Sequence, residues 1–420
     1  MSKKSRDNRP YMRPVTRVEL DQTNVKLRWI LVAAFLVIAI TAFGIGINEV
    51  LKTEPGWQSI RAASDQPNSS GEFVFMYDFS QYGATASQVN KELETYYTEI
   101  CVDAFSVFSP DISKEGLLNV HYVNASPNVE ISVDPALYGA FELLAQYGNR
   151  SIFLAPVYVE YDRIFRSESD PEAAANDPAR NPEVRTFIDE LIRYTADENM
   201  VSISLLGDNR ICLNVSEAYL NYAQENGIEE FVDFGWMRNA FVADYLAAHL
   251  VQRGFTNGYL ASYDGFTRNL METDQTFQLN LFNLEGRDIY LPASMEYTTP
   301  ASLVFLRSYP LEELDEWSSY VYEDGRIVTS IIDPVDGVNK SALTNLVSYS
   351  KNSGCAEILM QMIPIFVADE FQADAVNALT AQEIYSVWFE QGVLKYNEPS
   401  LKLRLIADEQ GNDCQSVFVK

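Results

Sequence analysis

The sequence is short of histidine, cysteine and positive charge. Its 420 residues contain two histidines, four cysteines, and 31 Lys or Arg against 59 Asp or Glu. Two histidines leave little material for a histidine-ligated metal or a Ser-His-Asp triad, and the cysteines lack the CxxC spacing of a zinc cluster. They either form up to two disulfides outside the cell or stay buried as small apolar residues. The net charge of −28 argues against nucleic acid or an anionic membrane surface as the main partner.

What the chain has in abundance is apolar and aromatic material. Apolar residues make up 47% of it and aromatic residues 12%, so most of the chain should fold around a core rather than stay disordered. The length allows one large domain or two ordinary ones. Short predicted strands alternate with helices and hairpins, which indicates an α+β fold rather than a parallel βαβ series.

The first fifty residues predict a membrane anchor. Residues 1–28 carry eight Lys or Arg against three Asp or Glu, and Trp29 to Ile47 then runs nineteen residues without a charge. About 20 apolar residues cross the hydrocarbon core, so residues 29–47 are long enough for a transmembrane helix. The positive-inside rule keeps the basic segment in the cytoplasm and places the rest of the chain outside it, at the cell membrane. Residues 48–71 are polar and look like a linker.

Apolar periodicity places several further elements. Residues 166–182 hold three prolines and predict an exposed loop. Residues 367–420 are expected to form a C-terminal addition packed on the main domain, with a helix over Thr380 to Phe389. Val201 to Leu205 and Arg210 to Val215 predict a hairpin. The clearest predicted helices are Ala86 to Phe108, Ala136 to Tyr147, Glu183 to Thr195 and Cys355 to Phe366.

The stretch from Phe231 to Gly254 stands at the centre of the chain. It predicts a short apolar strand, a glycine turn at Gly235, and a helix that ends at Gly254, where a C-cap glycine is expected. A strand, a turn and a helix start can form an anion site, because free N–H groups and the positive end of the helix dipole point outward there. The alternative is a core-packing strand and helix without a ligand.

Six segments in order along the chain resemble motifs of the FAD:protein FMN transferase family, the ApbE-like flavin transferases that work outside the cytoplasmic membrane. The strongest is Asp233 to Asp244, which is similar to Asp-Leu-Gly-Gly-Ile-Ala-Lys-Gly-Tyr-Ala-Val-Asp in the family. Ser330 to Gly337 is similar to His-Ile-Ile-Asp-Pro-x-x-Gly, and Ala356 to Met362 to Ala-Asp-Ala-Leu-(Ser/Ala)-Thr-Ala. The other three segments are Ser109 to Asn119, Gly148 to Arg150, and Ala155 to Val157.

This resemblance implies an ApbE-like α+β fold over residues 72–366. It also implies binding of FAD and Mg²⁺, and transfer of FMN to a Ser or Thr of a partner membrane protein. Asp233 and Asp333 match positions expected to take part in catalysis, and Glu357 and Gln361 stand where the family holds Mg²⁺. The implied cofactor-binding residues are Gly235, Asn239, Asp244, Tyr263, Asp264 and Gly265.

Several departures from the family pattern affect the expected flavin site. Trp236 replaces the second glycine of the strongest motif, and Asn239 replaces its lysine. A Trp side chain fills space that a glycine leaves for a dinucleotide, and loss of the lysine removes a charge suited to a pyrophosphate. Asp264 adds negative charge where the anionic cofactor should lie, and Ser330 replaces a histidine.

Two hypotheses about function follow from this pattern. The first is a non-catalytic homologue, a pseudoenzyme that serves as an accessory or binding protein of a membrane complex. The second is an active, Mg²⁺-dependent FAD:protein FMN transferase. A third possibility is that the acidic surface itself binds cations or a basic partner.

Overall fold

The computed structural model describes residues 56–65, 69–113, 116–273, 275–407 and 414–420. The predicted cytoplasmic segment 1–28, the transmembrane helix 29–47 and the first part of the linker lie outside these residues. Within the described ranges, no helix combines the length and the apolar character needed to cross a membrane. The membrane anchor therefore stays a prediction from the sequence.

A nine-stranded sheet forms the centre of the fold. Its spatial order is β1-β2-β6-β7-β10-β13-β14-β15-β17, and every pairing is antiparallel except that of β15 with β17. The strands are β1 (Trp57–Ile60), β2 (Phe73–Asp78), β6 (Gly258–Ser262), β7 (Phe266–Asn269), β10 (Ala301–Arg307), β13 (Asn345–Ser350), β14 (Tyr385–Glu390), β15 (Val393–Tyr396) and β17 (Ser416–Phe418).

Ten α-helices are described, and three of them cover one face of this sheet. The helices are α1 (Ala86–Phe108), α2 (Val120–Asn124), α3 (Pro135–Gln146), α4 (Ala155–Phe165), α5 (Asp170–Asn176), α6 (Pro182–Thr195), α7 (Glu217–Asn226), α8 (Arg238–Arg253), α9 (Cys355–Phe366) and α10 (Ala373–Ala378). Helix α8 packs against α1, against α9 and against β6 and β7. Gly254 ends α8 in the left-handed conformation, which confirms the expected glycine C-cap.

Three smaller sheets complete the fold. They are β16-β9-β8, β11-β12 and β3-β5-β4, built from β3 (Glu130–Ser132), β4 (Val201–Gly207), β5 (Arg210–Val215), β8 (Thr276–Glu285), β9 (Asp288–Thr298), β11 (Ser319–Val321), β12 (Ile327–Thr329) and β16 (Lys402–Leu405). The β8–β9 sheet covers the second face of the main sheet, because Met295 of β9 shares an apolar cluster with Leu303 and Phe305 of β10. Their neighbours Val304 and Leu306 face the helices instead.

The described termini contribute to the main sheet. Strand β1 lies inside the segment predicted as a linker, 48–71, and pairs with β2. Strands β14, β15 and β17 lie inside the predicted C-terminal addition, 367–420, and extend the same sheet from β13. The four cysteines are free, and Cys101 and Cys355 are buried.

Three secondary-structure predictions were wrong. Phe231 to Phe234 form no strand, the predicted loop 166–182 contains α5, and the predicted helix over Thr380 to Phe389 is replaced by a 3₁₀ turn and β14. The last error has a clear cause. Val387 and Phe389 pack against the β8–β9 sheet while Trp388 packs on the helix side, and burial of both faces of a central strand outweighs local helical spacing.

Candidate functional site

A cavity of about 580 Å³ opens beside the start of α8. It lies between α4, the turn from β6 to β7, the end of β10, the end of β12 and the segment 330–332 that follows β12. Aromatic side chains form much of its wall, namely Tyr158, Tyr161, Phe165, Trp236, Tyr263, Phe266, Phe305 and Tyr309. Six carboxylates and four guanidinium groups also line it: Asp111, Asp162, Glu230, Asp233, Asp264, Asp315, Arg163, Arg166, Arg238 and Arg307.

The segment before α8 is held by a distant asparagine. The Asn124 side chain accepts hydrogen bonds from the backbone N–H groups of Phe231 and Val232 and donates to the Val232 carbonyl, at 2.8–3.0 Å. Asp233 N–H donates to the Ile152 carbonyl at 2.8 Å. These bonds satisfy the backbone without a strand partner and hold the segment so that Asp233 lines the cavity.

Position 235 requires a glycine, because the backbone there lies against another side chain of the protein. Its φ is +50°, and a Cβ there would lie 2.5 Å from the Tyr158 ring. Tyr158 is buried and donates its hydroxyl hydrogen to the Ser151 carbonyl at 2.8 Å. The Tyr158 ring therefore fills the space on the Cβ side of Gly235, and Gly235 itself lines the cavity.

Asp233 is a partly buried acid of the cavity wall. Its carboxylate accepts from Gly235 N–H at 3.0 Å. Burial raises its pKa, the nearby charge of Asp111 adds to the rise, and the Gly235 N–H and Arg238 oppose it. A raised pKa in a cleft is a feature of acid–base groups, and the catalytic role of Asp233 stays a prediction from the sequence.

The turn from β6 to β7 contains Tyr263, Asp264 and Gly265. A Cβ on Gly265, whose φ is +106°, would lie 2.4 Å from the Phe305 carbonyl oxygen. Phe305 N–H donates to the Gly265 carbonyl at 2.9 Å, and Arg307 donates to the Tyr263 carbonyl at 2.9 Å. The glycine thus lets the turn approach β10. Tyr263 and Asp264 line the cavity, and Gly265 is not among the lining residues.

Asp264 and Asn239 form the central polar pair of the cavity. Asn239 Nδ2 donates to Asp264 Oδ2 at 2.8 Å, which fixes the orientation of the amide. Asn239 Oδ1 and Asp264 Oδ1 are both buried and accept no hydrogen bond from any described residue. Burial raises the pKa of Asp264, with Ser262, Asn239 and Arg307 opposing the rise. The pair therefore buries two acceptors that need donors.

A third acid, Glu230, lies at the same wall. Burial raises its pKa to about 7, and Asp233, Asp111 and Glu229 add to the rise by repulsion. Its carboxyl group therefore changes charge close to neutral pH. The sequence reading missed Glu230, although an acidic residue directly before an apolar, glycine-containing segment was a signal available for it.

The arginines of the cavity are largely occupied. Arg307 pairs with both oxygens of Asp315 at 2.8 Å, and both side chains are buried. Arg166 pairs with Asp162 at 3.2 Å. Arg163 pairs with Glu160, and the Arg238 guanidinium lies 5.7 Å from the centroid of the Phe105 ring. The remaining lining acids are Asp111, Glu230, Asp233 and Asp264. Acidic groups therefore outnumber the arginines that remain to balance them.

Two predicted site residues have structural partners away from the cavity. Asp244 accepts from the backbone N–H groups of Cys355 and Ala356 at 2.9 Å and pairs with Arg268, so it caps the start of α9. Asp333 accepts from Val335 N–H at 2.9 Å and pairs with Lys340 at 2.7 Å. Neither lines the cavity. The expected cofactor contact of Asp244 and the expected chemistry of Asp333 stay predictions from the sequence.

The expected magnesium residues lie together on α9 but form a poor donor set. Tyr147 donates its hydroxyl to Glu357 at 3.4 Å and accepts from Gln361 Nε2 at 3.3 Å. Mg²⁺ requires oxygen ligands in a tight octahedron. Across the described ranges, no group of three or more His, Cys, Asp or Glu side chains is arranged to hold a metal. These residues do not fit a magnesium site.

Comparison with known proteins identifies the fold. No protein-family model matches the chain, and no curated protein matches it. The ApbE protein of Thermotoga maritima has a TM-score of 0.56 and 12% identity, covering 81% of this chain and 97% of that one. Flavin transferase ApbE from Vibrio cholerae and a mutant of it each have a TM-score of 0.48, at 13% and 12% identity, covering 84% of this chain and 97% of theirs. The Thermotoga likeness shows that this chain has the ApbE-like α+β fold expected from the sequence.

Proposed function

We propose that this protein is a membrane-anchored, non-catalytic member of the ApbE-like fold that binds a ligand other than FAD. It acts outside the cytoplasm as an accessory or binding protein of a membrane complex. The observation that carries the proposal is the buried pair of Asn239 and Asp264 in the cavity wall. The carboxylate of Asp264 repels the negative charges of a pyrophosphate, and the neutral amide of Asn239 supplies no positive charge to attract them.

The glycines support the same conclusion. Tyr158 occupies the space that Gly235 leaves, and the Phe305 carbonyl occupies the space that Gly265 leaves. Glycines that admit a dinucleotide must leave their open side to the phosphates or the ring. Both glycines instead serve packing between segments of the protein.

FAD binding tests the proposal directly. We expect full-length protein purified in detergent to show no saturable change in flavin fluorescence with FAD up to high micromolar concentration, with or without Mg²⁺. The Vibrio cholerae flavin transferase, in the same buffer, serves as the control that the assay detects binding. Saturable binding that requires Mg²⁺ would overturn the proposal.

A working flavin transferase is the second candidate. It is favoured by Asp233, a partly buried acid with a raised pKa on the cavity wall, because such a group can accept the proton of a Ser or Thr hydroxyl. The test is incubation with FAD, Mg²⁺ and membranes from cells that lack the protein, followed by in-gel flavin fluorescence. A flavin-labelled band that disappears with Asp233→Asn would establish this activity and exclude the first proposal.

The anchor needs its own test. Residues 29–47 lack charge and follow a basic segment, so two arginines in the span, as Leu36→Arg with Ile40→Arg, should prevent insertion at a cost of about 2.5–3.5 kcal/mol each. We expect this double variant to leave the carbonate-resistant membrane fraction, while Leu36→Ala with Ile40→Ala stays in it. Equal retention of both variants would contradict the anchor.

A further inference from the structure

Two acceptor oxygens of the cavity lack donors, while the Trp236 indole N–H and the Tyr309 hydroxyl on the same lining also have no partner among the described residues. Asn239 Oδ1 and Asp264 Oδ1 are both acceptors without a partner among the described residues, and Asn239 is 7% exposed. The amide cannot correct this by flipping, because its Nδ2 already donates to Asp264 Oδ2 and a flip would set oxygen against carboxylate. A buried acceptor left without a donor is costly, so a ligand that donates to both groups gains what the free protein lacks.

Charge in the cavity favours the same ligand. Asp111, Glu230 and Asp233 lie on the same wall as Asp264. The positive charge of Arg238 opposes the rise in pKa of Asp233 and of Glu72 through a longer-range electrostatic interaction. Two of the other guanidinium groups are held by Asp315 and Asp162. A cation entering the cavity therefore finds carboxylates that have no close basic partner.

The remaining wall suits a flat or aromatic body. Trp236, Tyr263 and Phe305 line the cavity beside the acids. Aromatic faces attract cations, and planar guanidinium-like groups also stack on them. Aliphatic ammonium groups gain the charge interaction but not the stacking.

We propose that the cavity binds an organic cation that carries N–H donors on a planar frame, such as an amidinium or guanidinium group. This inference rests on the proposed function, since it names the class of ligand that takes the place of FAD. The N–H groups donate to Asn239 Oδ1 and Asp264 Oδ1 after a small shift of these side chains. The carboxylates of Asp264 and Asp233 balance the charge. Trp236 and Tyr263 contact the flat face.

Benzamidine is the probe, and three relatives of it separate the contributions. Benzamide keeps the shape without the charge, benzoate reverses the charge, and benzyltrimethylammonium keeps the charge without N–H donors. By isothermal titration of the full-length protein in detergent, we expect benzamidine to bind with a Kd of roughly 0.1–1 mM, as a fragment of this size allows. The three relatives should bind at least roughly tenfold more weakly, a difference of one hydrogen-bonded contact or more.

Variants locate the binding to the cavity. Asp264→Asn should weaken benzamidine at least roughly tenfold, and Asp233→Asn, an independent change on the same wall, should weaken it as well. Asp288→Asn removes one exposed acid at the end of the β8–β9 hairpin and should leave the Kd unchanged. If Asp264→Asn does not fold, Asp233→Asn alone carries the comparison with Asp288→Asn.

The outcomes separate this inference from the proposed function. Absence of benzamidine binding, equal binding of benzamidine and benzyltrimethylammonium, or equal loss in Asp288→Asn would each overturn the cation site. A protein that binds neither FAD nor benzamidine would refute the cation site and leave the non-catalytic proposal standing. A protein that binds FAD would refute the proposed function itself.

Discussion

Two aspartates with buried carboxylate oxygens, Asp177 and Asp264, have opposite hydrogen-bonding environments. Asp177 follows α5 and is fully buried, but it accepts from Ala179 N–H and from the Tyr322 hydroxyl at 2.9 Å and pairs with Arg326. Asp264 lies in the cavity wall, where its Oδ2 accepts from Asn239 Nδ2 at 2.8 Å and its Oδ1 meets no described donor at hydrogen-bonding geometry. The first acid is satisfied by the protein, whereas the second lacks donors that a ligand can supply. A buried charge with full partners indicates structure, and one without them indicates a site.

The largest expected effect comes from the satisfied acid. Asp177→Asn should lower the free energy of unfolding by roughly 3 kcal/mol, because removal of one partner of a buried pair leaves the other uncompensated. Urea denaturation followed by circular dichroism measures this loss. The exposed Asp288→Asn should change stability by less than about 0.5 kcal/mol. If Asp177→Asn changed the free energy of unfolding as little as Asp288→Asn does, the contrast between a structural Asp177 and a ligand-binding Asp264 would not hold.

A second satisfied acid lies within the cavity wall itself. Asp315 pairs with Arg307 at 2.8 Å and accepts from Leu311 and Glu312 N–H at 2.6 and 2.9 Å. We expect Asp315→Asn to cost roughly 2 kcal/mol in the same denaturation assay, since one buried charge pair is lost but an oxygen acceptor remains. A variant as stable as the wild-type protein would show that the hydrogen bonds of Asp315 do not stabilise the fold, and that hydrogen bonding does not distinguish structural acids from site acids.

The unsatisfied acid should respond in the opposite direction. Asp264→Asn keeps an acceptor for Asn239 and removes a buried charge whose pKa is raised. We therefore expect the melting temperature at pH 8 to rise, and the free energy of unfolding to increase by roughly 1 kcal/mol. Destabilisation comparable to that of Asp177→Asn would show that Asp264 is a structural residue.

The smallest expected effect depends on pH. Burial raises the pKa of Glu230 to about 7, so between its unfolded pKa and about pH 7 the native state binds more protons than the unfolded state. Stability contributed by this group is therefore present at low pH and falls as pH rises. Glu230→Gln should stabilise the protein at pH 8 by roughly 1 kcal/mol, after a discount for solvent screening.

At pH 4, below the ordinary glutamate pKa of 4.5, the same substitution should have almost no effect, because Glu230 is then mostly protonated and neutral in both the native and the unfolded states. Thermal melts at the two pH values measure the difference, with Asp288→Asn as the exposed control. A stabilisation of the same size at both pH values would mean that ionisation of Glu230 is not the cause.

Local periodicity was enough to predict most of the long helices and several strands. Helices α1, α8 and α9 follow from apolar spacing and from caps such as Gly254, which depend on neighbours a few residues away. The order of family-like motifs was also enough to predict the fold. Strand β14 was not predictable in this way, because its state depends on burial between the β8–β9 sheet and the helices on the opposite face, which are distant in the sequence.

The site was predictable only in part, for the same reason. Asp233, Asn239 and Asp264 were found by motif position, and the structure brings them to one cavity. The filling of the Gly235 space by Tyr158, and the use of Asp244 as a cap for α9, depend on contacts across 77 and 111 positions of the chain. No local pattern reports which side chain will occupy the open side of a glycine.

The most direct test of the proposal that the cavity does not accept FAD is a fluorescence titration of FAD into the full-length protein in the presence of Mg²⁺. We expect no saturable binding up to high micromolar FAD under conditions in which the Vibrio cholerae flavin transferase binds. Tight, Mg²⁺-dependent binding would contradict the proposal and establish that the substituted residues form a working flavin site.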